Sequence, residues 1–158
     1  MATKVKAIPD GYHSVTPYLS IKGAKEALEF YKRAFGAKEI LKMEMPDGRL
    51  GHAEIQIGDS RLMLSDEMPE MAEAITRSPK TLGGSTAGFS IYLENVDARF
   101  QQAIDAGATV MRPVTTQFYG DRSGTLQDPF GHLWTLSTHV EDISPDEMNA
   151  RMAKLMGG

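Results

Sequence analysis

His52 and Glu54 stand two residues apart in the segment Leu50 to Ile57. On an extended chain that spacing sends both side chains from one face, so an imidazole and a carboxylate could meet one ion or one ligand. Two donors are fewer than a divalent cation needs, and the same spacing equally suits a hydrogen-bonded His–Glu couple. Arg122 offers a cation for an acidic ligand or for an ion pair with a neighbouring carboxylate. His132 follows the turn Asp128-Pro129-Phe130-Gly131 and suits bonding to backbone there, while His13 and His139 fall at strand ends, toward solvent. The absence of cysteine excludes disulfides, thiolate metal ligands and a Cys nucleophile. No Ser-His-Asp arrangement or nucleophile elbow is present.

The elements that must position these groups follow from period. Met1 to Tyr12 is polar, with Pro9 and Gly11, and reads as an arm. Val15, Pro17, Leu19 and Ile21 alternate with Thr16, Tyr18 and Ser20 as a half-buried strand. Ala27, Leu28, Tyr31, Ala34 and Phe35 follow helical spacing over Ala24 to Phe35, and Gly36 suits the C-cap. Lys38 to Met45, Leu50 to Ile57 and Arg61 to Ser65 follow as strands, turned at Pro46-Asp47-Gly48 and Gly58-Asp59. Residues 67–86 break the pattern and read as a linker with a helical piece around Met71 to Thr76. The order then returns: a strand on Phe89, Ile91 and Leu93, a helix from Val96 to Gly107, a strand from Thr109 to Val114, and a closing hairpin. Two βαβββ modules, 13–66 and 87–138, are predicted on this internal repeat. In the tail, 139–158, Ser144-Pro145-Asp146-Glu147 is a capping box that opens a helix striped by Met148, Met152, Leu155 and Met156.

A chain of 158 residues with a formal charge of −4 gives no reason to expect nucleic acid or an anionic membrane as partner. No apolar run approaches the roughly 18 residues of a spanning helix, and no apolar signal core opens the chain, so a cytoplasmic protein is expected. The ten methionines read as adaptable core and interface filler.

The last hairpin carries a resemblance. Gly120 to Trp134, G-D-R-x-G-x-x-x-D-P-F-G-H-x-W, resembles the closing hairpin of the glyoxalase/bleomycin-resistance/extradiol-dioxygenase proteins, the vicinal-oxygen-chelate superfamily. Glu29-Phe30-Tyr31 and Phe35-Gly36-Ala37 match its first helix, and Thr138 to Ser144 resembles the PhnB-like branch. The resemblance implies an α+β fold, two βαβββ modules forming a curved mixed sheet with a ligand cleft. It turns the polar alternate of each strand, which by parity alone suits a solvated face as well, into the cleft wall. Thr16, Tyr18, His52, Glu54, Arg61, Met63, Ser90, Tyr92 and Thr135 are then the ligand-binding candidates, with Tyr119 and Arg122 beside them.

Metal-dependent relatives place His or Glu at four strand positions, which fall here on Thr16, Met63, Gly88 (or Phe89) and Thr135. None is a good ligand for a hard divalent cation. The resemblance therefore implies a small-molecule binding protein of the bleomycin-resistance kind, with no metal and no cofactor, that pairs as a homodimer. The alternative is a metal-dependent lyase, isomerase or dioxygenase with non-standard ligands such as His52 and Glu54. The methyltransferase activity attached to some PhnB-like proteins finds no Gly-rich cofactor loop between a strand and a helix.

Overall fold

The computed structural model describes residues 5–71 and 76–157 and divides into two units, Met1–Gly84 and Ser85–Gly158. In the first, β1 (Tyr18–Ile21), α1 (Ala24–Phe35), β2 (Lys38–Glu44), β3 (Leu50–Ile57) and β4 (Ser60–Asp66) are followed by a single helical turn, α2 (Pro79–Leu82). The sheet order is β1-β4-β3-β2, parallel between β1 and β4 and antiparallel elsewhere. Strand parity sorts the side chains as the sequence pattern requires. Leu19, Ile21, Ala53, Ile55, Leu62 and Leu64 are buried on one face, and the buried side of α1, with Leu28, Phe30, Tyr31 and Phe35, packs on the sheet.

Helix α1 starts at Gly23, which has no side chain to cap it. Asp66 at the end of β4 supplies the missing acceptor. Its Oδ1 takes the N–H groups of Gly23 and Ala24, each at 3.0 Å, and its Oδ2 takes that of Leu50 at 2.8 Å. A carboxylate there satisfies free helix donors and lies at the positive end of the helix dipole. The helix ends at Gly36, whose φ of 67° lets its N–H return to the Lys32 carbonyl.

The second unit repeats the plan with β5 (Gly88–Tyr92), α3 (Val96–Asp105), β6 (Thr109–Thr116), β7 (Asp121–Gln127) and β8 (Leu133–His139), ordered β5-β8-β7-β6. Thr138 holds the place of Asp66: its Oγ1 accepts the Val96 N–H at 3.0 Å and donates to the Leu93 carbonyl at 2.8 Å. The β7–β8 hairpin is organised by the buried Asp128. One carboxylate oxygen accepts the N–H groups of Phe130 and His132, and the other accepts the indole N–H of Trp134, each at 2.9 Å. Trp134, 1% exposed, is core as its parity requires. Gly124 lets α3 approach β7, since a Cβ there would lie 2.6 Å from the Phe100 ring. Helix α4 (Pro145–Met156) starts at Ser144, which accepts the Glu147 N–H, and none of its side chains is buried.

The expected α+β fold of two βαβββ modules is present as two four-stranded mixed sheets, each hydrogen-bonded within its own unit. Other expectations are adjusted. The strand expected from Val15 begins only at Tyr18, and Val15 is 84% exposed. Pro17 has no N–H to donate, so the ladder starts after it, although its carbonyl still accepts the Met63 N–H at 2.9 Å. Phe89 and Ile91 lie in β5 as expected and are half-buried. The helical piece expected around Met71 to Thr76 lies mostly outside the described residues. The helix that follows, α2, is capped by the buried Ser78, which together with Thr81 is fastened to Glu67.

Candidate functional site

Register brings five of the predicted residues together in the first unit. Tyr18 pairs with Met63 across β1 and β4, Met63 with Glu54 across β4 and β3, and Arg61 with Gln56 one step along. All lie on the face opposite the helix-covered side. His52 precedes Glu54 by one pleat, and its Nε2 lies 3.2 Å from Glu54 Oε1 while its Nδ1 lies 3.1 Å from the Tyr18 hydroxyl. A carboxylate only accepts, so a neutral His52 carries its proton on Nε2, and the Tyr18 hydroxyl then donates to Nδ1. The other Glu54 oxygen accepts the hydroxyl proton of Tyr12 and faces Arg61 Nη1 at 3.7 Å.

Tyr12 comes from the arm, which folds over this face. A turn from Pro9 to Tyr12 presents it: the Tyr12 N–H reaches the Pro9 carbonyl, and Gly11 takes a φ of 83°. A Cβ at Gly11 would lie 2.6 Å from Arg61 Nη2, so glycine also lets the arm backbone rest against the guanidinium. The Arg61 guanidinium carbon stands 4.6 Å from the Tyr12 ring centroid, a cation–π contact. Beside these groups is a cavity of about 620 Å³, lined by Ala7, Ile8, Pro9 and Tyr12 to Ser14 of the arm side and by Thr16, Glu54 and Met63.

The electrostatics follow from the bonds. The Tyr12 hydroxyl, then the His52 N–H and the Arg61 charge, hold the Glu54 carboxyl below its ordinary range against the opposing effect of burial. Burial first, and the bond to Glu54 second, push the Tyr12 hydroxyl above its ordinary value.

The second unit's candidates form separate groups. Ser90, exposed on β5, pairs in register with Thr135, whose hydroxyl lies 3.0 Å from that of Thr125. The Tyr92 hydroxyl donates to Asp121 Oδ2 at 2.7 Å, and that of Tyr119 lies 3.5 Å from Ser123 Oγ. Arg122 is held on two nitrogens by Asp97 of α3 at 2.8 and 2.6 Å, the ion-pair alternative of the sequence reading. His139, expected toward solvent, is half exposed but bonded on both ring nitrogens, to buried Asp121 at 2.8 Å and to Asp142 at 2.9 Å. Both carboxylates, Asp121 first, raise its pKa above the ordinary value.

The family description Glyoxalase/Bleomycin resistance protein/Dioxygenase superfamily matches residues 13–136 of the chain. The chain belongs to this superfamily. The uncharacterized protein Mb0911c of Mycobacterium bovis is 39% identical over 140 residues, covering 89% of this chain and 92% of its own. TioX from Micromonospora sp. ML1 superposes with a TM-score of 0.63 at 22% identity, covering 81% of this chain and 99% of TioX. The PhnB protein of Bacillus cereus gives 0.61 at 18%, covering 80% and 99%. The two structural likenesses establish the fold alone.

The superfamily's metal-dependent members define the group to test for fit. Thr16 and Met63 in the first unit, and Gly88 and Thr135 in the second, present two hydroxyls, a thioether and no side chain at all. Hard divalent cations call for carboxylate or imidazole donors, and neither unit's pair supplies one. Among the described residues no group of three or more His, Cys, Asp or Glu side chains is placed to hold a metal ion. His52 and Glu54 bond to each other, and Tyr12 takes the second carboxylate oxygen. Among the described residues no helix is long and apolar enough to cross a membrane.

Sequence reasoning missed Tyr12 and the arm as cavity wall. The available signal was Pro9-x-Gly11 before an aromatic, which marks a turn but not its destination. It also missed Asp121 as the acceptor joining Tyr92 and His139.

Proposed function

We propose that this protein binds a small organic molecule in the first unit's cavity and sequesters it without a metal ion, as a binding protein of the bleomycin-resistance kind. The observation that carries this reading is the cavity itself. Its wall is largely apolar, from Ala7, Ile8, Pro9 and Met63, with hydroxyls from Tyr12, Ser14 and Thr16 and the Glu54 carboxylate at its polar end. An open cleft of this kind, apolar with a few convergent polar groups, is a usual form of a small-molecule site. Tyr18, His52 and Arg61 act from beside the cavity by fixing Glu54 and Tyr12. The segment Thr138 to Ser144, which resembles the PhnB-like branch, supports placement there, with a cytoplasmic location as part of the proposal. The exposed stripe of Met152, Leu155 and Met156 on α4 supports a homodimer.

A thermal-shift screen of small aromatic and heterocyclic compounds tests the reading on the native protein and on Met63→Trp, which fills the cavity from a strand position that accepts a large ring. Ligands of this site should stabilise the native protein and lose that effect in the variant. A screen whose hits stabilise both alike would place binding elsewhere.

A further inference from the structure

We propose that Tyr12 is the resident occupant of an aromatic seat built by Arg61 and Glu54, and that the molecule bound here carries a phenolic hydroxyl that takes the place of Tyr12. The proposal rests on the small-molecule reading of the cavity and specifies its ligand class.

The seat has two fixed parts, both on the sheet. Glu54 accepts one hydroxyl proton, and Arg61 lies over one aromatic face. Arg61 is partly enclosed, its side chain 19% exposed, yet its Nε is buried with no hydrogen-bond partner among the described residues. Its nearest carboxylate oxygen, 3.7 Å from Nη1, is beyond hydrogen-bond length. A guanidinium whose Nε lacks a partner and whose carbon stands 4.6 Å from the Tyr12 ring centroid offers that ring its cationic face, so the platform suits a π system.

The occupant is not part of the sheet. Tyr12 precedes β1, and the arm before it, Val5 to Gly11, is exposed. Displacing it therefore breaks no strand pairing. The cavity that Tyr12 borders also reaches Thr16 and Met63, which lie outside the arm and give the apolar remainder of a molecule larger than a phenol somewhere to lie.

Charge narrows the class. A carboxylate or phenolate ligand would meet Glu54, and an amine or guanidine would meet Arg61. A neutral hydroxyl on an aromatic ring satisfies both, as Tyr12 does. Because Tyr12 is tethered beside its own site, it competes at a high effective concentration and weakens binding to the native protein.

The test is titration of Tyr12→Ala and native protein with p-cresol, the free equivalent of a tyrosine side chain, and with toluene, which matches its shape without the hydroxyl. Tyr12→Ala should bind p-cresol about tenfold more tightly than toluene, the ratio expected for one hydrogen bond to a charged acceptor. Native protein should bind p-cresol more weakly than the variant. Equal binding of p-cresol and toluene, no binding of either, or equal binding of p-cresol to native and variant protein would overturn the proposal. If Tyr12→Ala does not fold, Tyr12→Phe serves, since displacing a phenyl ring breaks no bond to Glu54. Then p-cresol should bind that variant more tightly than native protein, and equal affinity would overturn the idea. Failure here is separable from failure of the cavity reading, which stands while Met63→Trp abolishes the stabilisation given by a screening hit.

Discussion

Glu54 gathers most of the first unit's chemistry onto one carboxylate, with His52 on one oxygen and Tyr12 on the other. Its side chain is 14% exposed, so these bonds lie in a partly desolvated setting where a charged acceptor counts. Tyr12→Phe removes one such bond, and urea unfolding at neutral pH should show a loss of about 1.5–3 kcal/mol. The sign of the pH dependence is set by the lowered Glu54 pKa. The contribution is complete above the ordinary value of 4.5 and fades as pH falls through the lowered one. The difference between native protein and Tyr12→Phe should therefore be constant near neutrality and shrink in acid. A constant difference down to the acid limit would mean that the hydroxyl does not act through Glu54.

At the scale of elements, period-two alternation made β3 and β4 legible, because a one-residue slip would bury Glu54 and Arg61 and expose Ile55 and Leu62. The helices were legible for a similar reason: apolar spacing fixed α1 and α3, and the capping box at Ser144 fixed the start of α4. The arm has no period, and Tyr12 finds Glu54 and Arg61 only through the fold, so no local signal identified it as site. Val15 misled because the alternation ran on past Pro17, where the ladder has already lost a donor. The segment after β8 was read as a plain tail, but His139 ties its start to Asp121 and Asp142. Since the folded pKa of His139 is raised, its contribution is complete below the ordinary value of 6.5 and lost as pH rises through the raised one. Protection of the amides of Val140 to Ile143, corrected for the intrinsic rise of exchange with pH, should fall over that interval in native protein and stay level in His139→Gln. The same loss of protection in both proteins would remove His139 as the cause.

For the whole molecule, the repeat of one βαβββ plan was visible in the order of elements before any residue match, and the pairing of Asp66 with Thr138 as helix-capping strand ends extends it to single residues. The assembly proposed above gives α4 a purpose, since none of its residues is buried within the chain. A buried Leu or Met side chain is worth about 1.5–3 kcal/mol, so ending the chain at Ile143 should shift sedimentation from dimer to monomer. A dimer that survives the truncation would have to be held elsewhere. The central claim is that the first unit's cavity binds a small molecule, and the methyl group of Met63 in its wall reports on that directly. In methyl spectra of protein labelled at methionine, titration with a compound from the thermal screen should move the Met63 resonance most. A saturable titration that moves the resonances of Met148, Met152 and Met156 and leaves Met63 in place would contradict the account.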